Sequence, residues 1–147
     1  SNLECPYVKR HYGSNNMQTT QKFAKSKNVI WITVISSAEG KQGYIQPNDA
    51  LNTFASFGSF PDHILVDENG DLGKKFNAKT TPHIFIFDKN KNIVYQGAID
   101  DAGGSKFWTT DLNQSTNFVK KVVNDIKSNK PLSVSKTRPY GCSVKYG

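Results

Sequence analysis

The clearest pattern lies near the end of the chain. There Phe118, Val119, Val122, Val123 and Ile126 recur at helical spacing, and Lys120, Lys121, Asn124, Asp125 and Lys127 fill the opposite face. Such a stripe predicts a helix laid on a core. A second helical pattern begins at Pro6, because proline is favoured at the first helical position. Tyr7, Val8, Tyr12, Met17 and Phe23 carry it to about Lys25, and Gly13 with Ser14-Asn15-Asn16 predicts a break inside it. Pro47-Asn48-Asp49 opens a third helix that carries Ala50, Leu51, Phe54 and Phe57 and ends at Gly58. A short helix is predicted over Leu72–Phe76.

Between these helices stand strand-like runs. Val29–Ile35 is continuous and rich in β-branched residues, which suits a strand covered on both faces. Ile64–Val66 reads as a short strand closed by the Glu68-Asn69-Gly70 turn. Thr80-Thr81-Pro82 leads into a strand over His83–Phe87, and Ile93-Val94-Tyr95 returns from the polar Asp88–Asn92 turn as its antiparallel partner. Alternating α and β with a terminal hairpin predicts an α/β fold, a mixed central sheet with flanking helices. Residues 1–130 form one domain, and 131–147, with no periodicity, form a tail expected to run extended over the surface.

Composition narrows the class. At 147 residues the chain can bury a real core, and no run approaches the roughly 20 apolar residues of a membrane span. The net charge of +7 raises nucleic-acid binding, but of 19 basic residues only Arg10 and Arg138 are arginine, and the lysines are scattered from Lys9 to Lys145. Arginine supplies the planar fork that reads bases and grips phosphate, so the charge fits a solvated basic surface. No nucleic-acid partner is expected. Cysteine usage does not decide between the cytoplasm and an exported, periplasmic setting.

The two cysteines carry the candidate chemistry. Cys5 stands directly before the helix-starting Pro6, where its sulfur would face unpaired backbone N–H groups and the positive end of the helix dipole. Lys9, Arg10 and His11 add positive potential and Glu4 opposes it. The expected result is a thiol pKa lowered toward the range of roughly 3.5–7.5 that marks reactive cysteines. A buried, inert cysteine is the alternative.

The octapeptide Cys5-Pro6-Tyr7-Val8-Lys9-Arg10-His11-Tyr12, the Thr80-Thr81-Pro82 segment and the decapeptide Thr137–Tyr146 together resemble the redoxin family. This is the group of alkyl hydroperoxide reductases and thiol-specific antioxidant proteins, and the resemblance is strongest to its peroxiredoxin-like branch. It implies a thioredoxin-like fold, with Cys5 at the first position of the Cys-x-x-Cys site and Pro82 as a cis-proline facing it. It further implies that the Thr81 backbone pairs with the substrate chain. The implied activity is reduction of a peroxide or a disulfide without a cofactor, with a thioredoxin-like or small-thiol reductant. A homodimer stays open.

Three departures stand against the family pattern. Val8 replaces the second cysteine. Asn2 stands where peroxiredoxins carry a threonine. Only Ser1–Glu4 precede Cys5, where the family places a central strand, so an upstream strand is expected to be missing from the sheet.

Cys142 is the remaining sulfur. A sulfenic acid formed on Cys5 needs a second thiol to recycle it, and Cys142, freed by the neighbouring Gly141, is the candidate within the chain. Three fates are open: resolving Cys5, stapling it permanently, or standing idle. His83 follows Pro82 and could activate the thiol or join it as a copper ligand, although two ligands are too few for a metal site. His63 reads as a loop residue. The pairs Asp100-Asp101 and Asp67-Glu68 read as solvated turns.

Overall fold

Pro6 at the first helical position starts α1 (Pro6–Gly13), and the chain breaks at Asn15, whose φ of 67° places it in the left-handed region. Asparagine tolerates that conformation better than most residues. The second helix, α2 (Asn16–Ser26), follows at once, so the predicted break falls where the polar cluster stands. The structure, a computed structural model, describes residues 1–147. In chain order come β1 (Ile32–Ile35), a 3₁₀ turn at Pro47–Asp49, α3 (Ala50–Ser56), β2 (His63–Val66) and α4 (Asp71–Lys75). They are followed by β3 (Thr80–Thr81), β4 (Ile84–Phe87), β5 (Ile93–Gly97) and 3₁₀ turns at Ser105–Trp108 and Leu112–Gln114. The chain closes with α5 (Phe118–Lys127) and β6 (Cys142–Ser143). Asn117 caps α5, its side-chain oxygen accepting from the Lys120 N–H at 3.0 Å.

The strands pair in three two-stranded units. β1 and β2 are parallel, with Ile32 opposite His63 and Ile35 opposite Val66. β4 and β5 form the predicted antiparallel hairpin, with a bulge between Ile86 and Phe87. β3 and β6 are antiparallel, with Thr81 opposite Cys142. Two expectations need correction here. Ile30 is 69% and Ile32 51% exposed, so the Val29–Ile35 run is not covered on both faces. His63 begins β2 and is not a loop residue, because the Asp62 carboxylate accepts from the Trp31 N–H and docks the two segments in register.

One core lies between the helices and the strands. It combines Leu3, Cys5, Val8, Tyr12 and Met17 with Ile35, Phe54, Ile99, Val119 and Val123. The α5 stripe is buried as predicted at Val119, Val122 and Val123. A smaller core of Ala102, Phe107 and Leu112 forms in the segment between β5 and α5, with Tyr7 and Tyr140 packed on it. Short 3₁₀ turns have no amphipathic stripe to betray them.

The tail is extended, and hydrogen bonds tie it down at several points, with β6 its one short strand. The Gln96 N–H donates to the Ser135 carbonyl and the Thr137 N–H to the Gln96 carbonyl, each at 3.1 Å. Further on, the Val144 N–H donates to Lys79, the Ala38 N–H to Lys145 and the Tyr146 hydroxyl to Ala78. These bonds, all but the last between backbone groups, compensate for the missing periodicity.

Phe54 is fully buried, whereas Leu51 in the same helix is 68% exposed. Phe54→Ala should therefore cost about 3–5 kcal/mol, and Leu51→Ala should stay within about 0.5 kcal/mol. Denaturant unfolding of the two variants checks the contrast; equal losses would place the core elsewhere.

Candidate functional site

Cys5 occupies the N-cap of α1, with φ −72° and ψ 126°, and its carbonyl accepts the first helical bond from Lys9 at 2.9 Å. Cys5 stands at the helix start without a side-chain hydrogen bond to the first N–H groups of α1. The preceding residues hold it there. The Cys5 N–H donates to the Asn2 carbonyl at 3.1 Å, the Glu4 N–H donates to the Asn2 side-chain oxygen at 2.8 Å, and the Ser1 amine donates to Val34 of β1 at 2.6 Å.

Cys5 is bonded to Cys142 in a disulfide, with 6.1 Å between the Cα atoms across 137 positions of sequence. That span lies within the ordinary range for such bridges. The Cys5 sulfur is 3.3 Å from the Thr81 carbonyl oxygen, and the Thr81–Pro82 peptide is cis. The fold therefore brings Cys5, Cys142, Thr81 and Pro82 into one place. Cys5 is fully buried and Cys142 only partly so. Thr81 is buried as well, and its hydroxyl has no hydrogen-bond partner.

The other expected residues are distributed differently. Pro6 starts the helix, and Lys9 is exposed on α1. Arg10 donates from Nε to Phe107 at 3.1 Å and from Nη2 to Thr110 at 2.6 Å, and its guanidinium lies 5.5 Å above the Phe107 ring. Its charge anchors the segment between β5 and α5. His11 was expected to add positive potential; burial, and then the Arg10 charge, pull its pKa down to about 4, so it is neutral at pH 7. His83 accepts from the Lys79 N–H through Nδ1 and stacks on Phe85 at 4.4 Å. Burial first and Lys79 second lower its pKa to about 4. With the Cys5 sulfur committed to Cys142, a Cys5–His83 copper pair does not form. Val8, at the family's second cysteine position, is fully buried in the core.

A polar network unread in the sequence lies beside the disulfide. Asp100, expected to be solvated, is 1% exposed. Asn16 Nδ2 lies 3.0 Å from His11 Nδ1 and 3.2 Å from Asp100 Oδ2, and can donate one proton to each. His11 Nδ1 is then an acceptor, so its proton sits on Nε2, 3.3 Å from the Tyr140 hydroxyl. That hydroxyl donates in turn to Asp100 Oδ1. The ring closes with every proton assigned, around a neutral imidazole. Burial raises the Asp100 pKa against the pull of its donors, and burial and Asp100 together raise Tyr140 strongly. A buried carboxylate leaves no periodic trace, which is why a sequence pattern passes over it.

The comparisons bear on the fold and the family. A solved structure of an uncharacterized conserved protein from Geobacillus kaustophilus superposes with a TM-score of 0.80 at 22% identity, covering 97% of this chain and 72% of that one. A hypothetical protein from Sinorhizobium meliloti superposes with a TM-score of 0.77 at 19% identity, covering 99% and 76%. At such identities the likeness speaks to the fold, which is thioredoxin-like. No curated protein sequence matches the chain significantly. The Redoxin family model matches residues 3–111. The chain belongs to the redoxin family, whose domain points to thiol-based redox chemistry.

Two outcomes follow. Opening a loop of 137 residues' separation should remove up to about 5 kcal/mol in the chain-entropy model; unfolding with and without a dithiol reductant reads the difference, and coincident curves would count against the bridge. His11 is harder to protonate folded than unfolded. Its contribution is therefore complete above the unfolded value of 6.5 and is lost as pH falls from there toward about 4, where the folded group also protonates. Asp100, raised from 3.8, works in the opposite direction on acidification. Stability measured from pH 7 to 4 should fall more steeply in the wild type than in His11→Gln.

Proposed function

We propose that this redoxin is a thiol oxidoreductase in which Cys5 and Cys142 alternate between dithiol and disulfide. The observation that supports it is the meeting of the two sulfurs at a helix start, beside the Thr81 carbonyl and Pro82. A sulfur at an N-cap is favoured as an anion by the helix N–H groups.

In the forward direction Cys5 thiolate attacks a disulfide sulfur. A bond forms between Cys5 and that sulfur, and the other sulfur leaves as a thiolate. Cys142 thiolate then attacks the Cys5 sulfur, releasing the substrate thiolate and restoring the Cys5–Cys142 bond. With a peroxide the first step would break the O–O bond and give a sulfenic acid, from which Cys142 expels hydroxide. Asn2 favours the disulfide route: its side chain is engaged by the Glu4 N–H and lies 3.3 Å from the Gln42 carbonyl, so it is not free to hold a peroxide. For reduction, an external dithiol, such as a thioredoxin-like protein, attacks the partly exposed Cys142, and Cys5 leaves as the thiolate that its helix stabilises.

A second reading, a permanent staple in a binding module, is favoured by the complete burial of Cys5. Insulin-disulfide and peroxide turnover by the reduced wild type, Cys5→Ser and Cys142→Ser separates the two. Cys5→Ser should fall to the uncatalysed rate, and Cys142→Ser should accumulate a mixed disulfide after one encounter. Wild-type turnover no faster than Cys5→Ser would leave the staple.

A further inference from the structure

β3 is only two residues long, yet in the oxidised protein its edge is occupied. The tail segment Tyr140-Gly141-Cys142-Ser143 runs along it antiparallel, with Cys142 opposite Thr81 and Ser143 opposite Thr80. A different feature holds each of the first three residues. The Tyr140 ring lies 6.0 Å from Tyr7, 6.0 Å from His11 and 5.3 Å from Phe107, and its hydroxyl reaches the buried Asp100 carboxylate and His11. Gly141 passes Thr81 so closely that a Cβ would fall 2.1 Å from the Thr81 carbonyl oxygen, and its φ of +143° is itself one that favours glycine. Cys142 places its sulfur on Cys5.

These contacts have the form of a recognition site. A strand added to an exposed edge takes affinity from main-chain bonds and specificity from side-chain pockets. A pocket ending in a buried carboxylate discriminates sharply, because a ligand lacking the hydroxyl leaves the carboxylate short of a donor. In this chain the carboxylate has no buried cation beside it, only neutral donors from Tyr140, Asn16 and the Ala102 N–H.

We propose that the β3 edge and the pocket of Tyr7, His11, Asp100 and Phe107 bind a cysteine-bearing segment of a partner protein with tyrosine two residues before the cysteine and glycine between them, and that the tail is the occupant of that site in cis. This rests on the thiol-oxidoreductase function proposed above and adds its substrate class. With the disulfide open, tail and partner compete for one edge. The partner segment adds to Thr80–Thr81, and Cys5, its proton already lost to solvent, attacks the partner's disulfide at the recognised cysteine. A bond forms between the two sulfurs, the partner's S–S bond breaks, and its other sulfur leaves as a thiolate that solvent protonates.

The test uses the full-length chain carrying Cys142→Ser and Tyr140→Ala, which keeps the tail but empties the pocket. The probe is a decapeptide of sequence Thr-Arg-Pro-Tyr-Gly-Cys-Ser-Val-Lys-Tyr, its cysteine held as a mixed disulfide with thionitrobenzoate, so that release of the coloured thiolate gives the rate of attack. This peptide should react about tenfold faster than versions with phenylalanine for the tyrosine before glycine or alanine for the glycine, since a buried hydrogen bond to a charged group is worth roughly that factor or more. In a second protein, with Asp100→Asn added to the same Cys142→Ser and Tyr140→Ala background, the preference for tyrosine over phenylalanine should shrink toward unity. Equal rates across the peptides, or a preference untouched by Asp100→Asn, overturn the site. The small disulfide of the same aromatic thiol is the control. If Cys5 reacts with it while the peptide series is flat, the recognition site fails and the thiol chemistry stands; if Cys5 reacts with neither, the redox function fails with it.

Discussion

The link between Cys5 and Cys142 is the constraint on which the rest of the structure turns. It ties the residue that starts α1 to a strand near the other end of the chain, and so fixes where the tail lies. From that point the tail can pair with β3, seat Tyr140 against the small core between β5 and α5, and place Tyr146 over Gly73. Without the bond, each of these contacts would have to overcome the ordering entropy of the tail by itself.

The same link settles a conflict in the electrostatics of the site. The helix start favours an anionic sulfur, by an amount of about 0.3–2 kcal/mol. Complete burial, and a carbonyl oxygen 3.3 Å away, favour the neutral thiol. In the oxidised protein no charge is present and the conflict is idle. On the function proposed above it matters once the bond opens, when the β3–β6 pairing of the tail against Thr81 is no longer backed by a covalent link to Cys5.

Much of the fold was legible, and the reasons are physical. The stripe on α5, the start of α1 at Pro6, the break at Asn15 and the β4–β5 hairpin each leave a periodic or turn-forming mark. The place of Cys5 at a helix start was legible through Pro6, and Thr81 and Pro82 only through the resemblance to the redoxin family. The tail was not, because its order comes from backbone pairing, which is indifferent to side-chain period, and from glycines whose need shows only against their neighbours. Gly97, at φ +146°, passes Thr137 as closely as Gly141 passes Thr81. The Asp100 network was hidden for a related reason. Its four members, His11, Asn16, Asp100 and Tyr140, come from three distant stretches, and none differs in type from an ordinary surface residue.

One aromatic arrangement makes the tail's position visible to light. Trp108, half exposed, stands 5.0 Å from Tyr7 and 4.8 Å from Phe107, while Tyr140 of the tail touches both of those rings. The other indole, Trp31, sits at the β1 end of the molecule and bonds to Thr33. An emission change on opening the disulfide would thus arise chiefly at one end of the chain's pair of indoles, giving the protein a native optical gauge of whether its tail is seated.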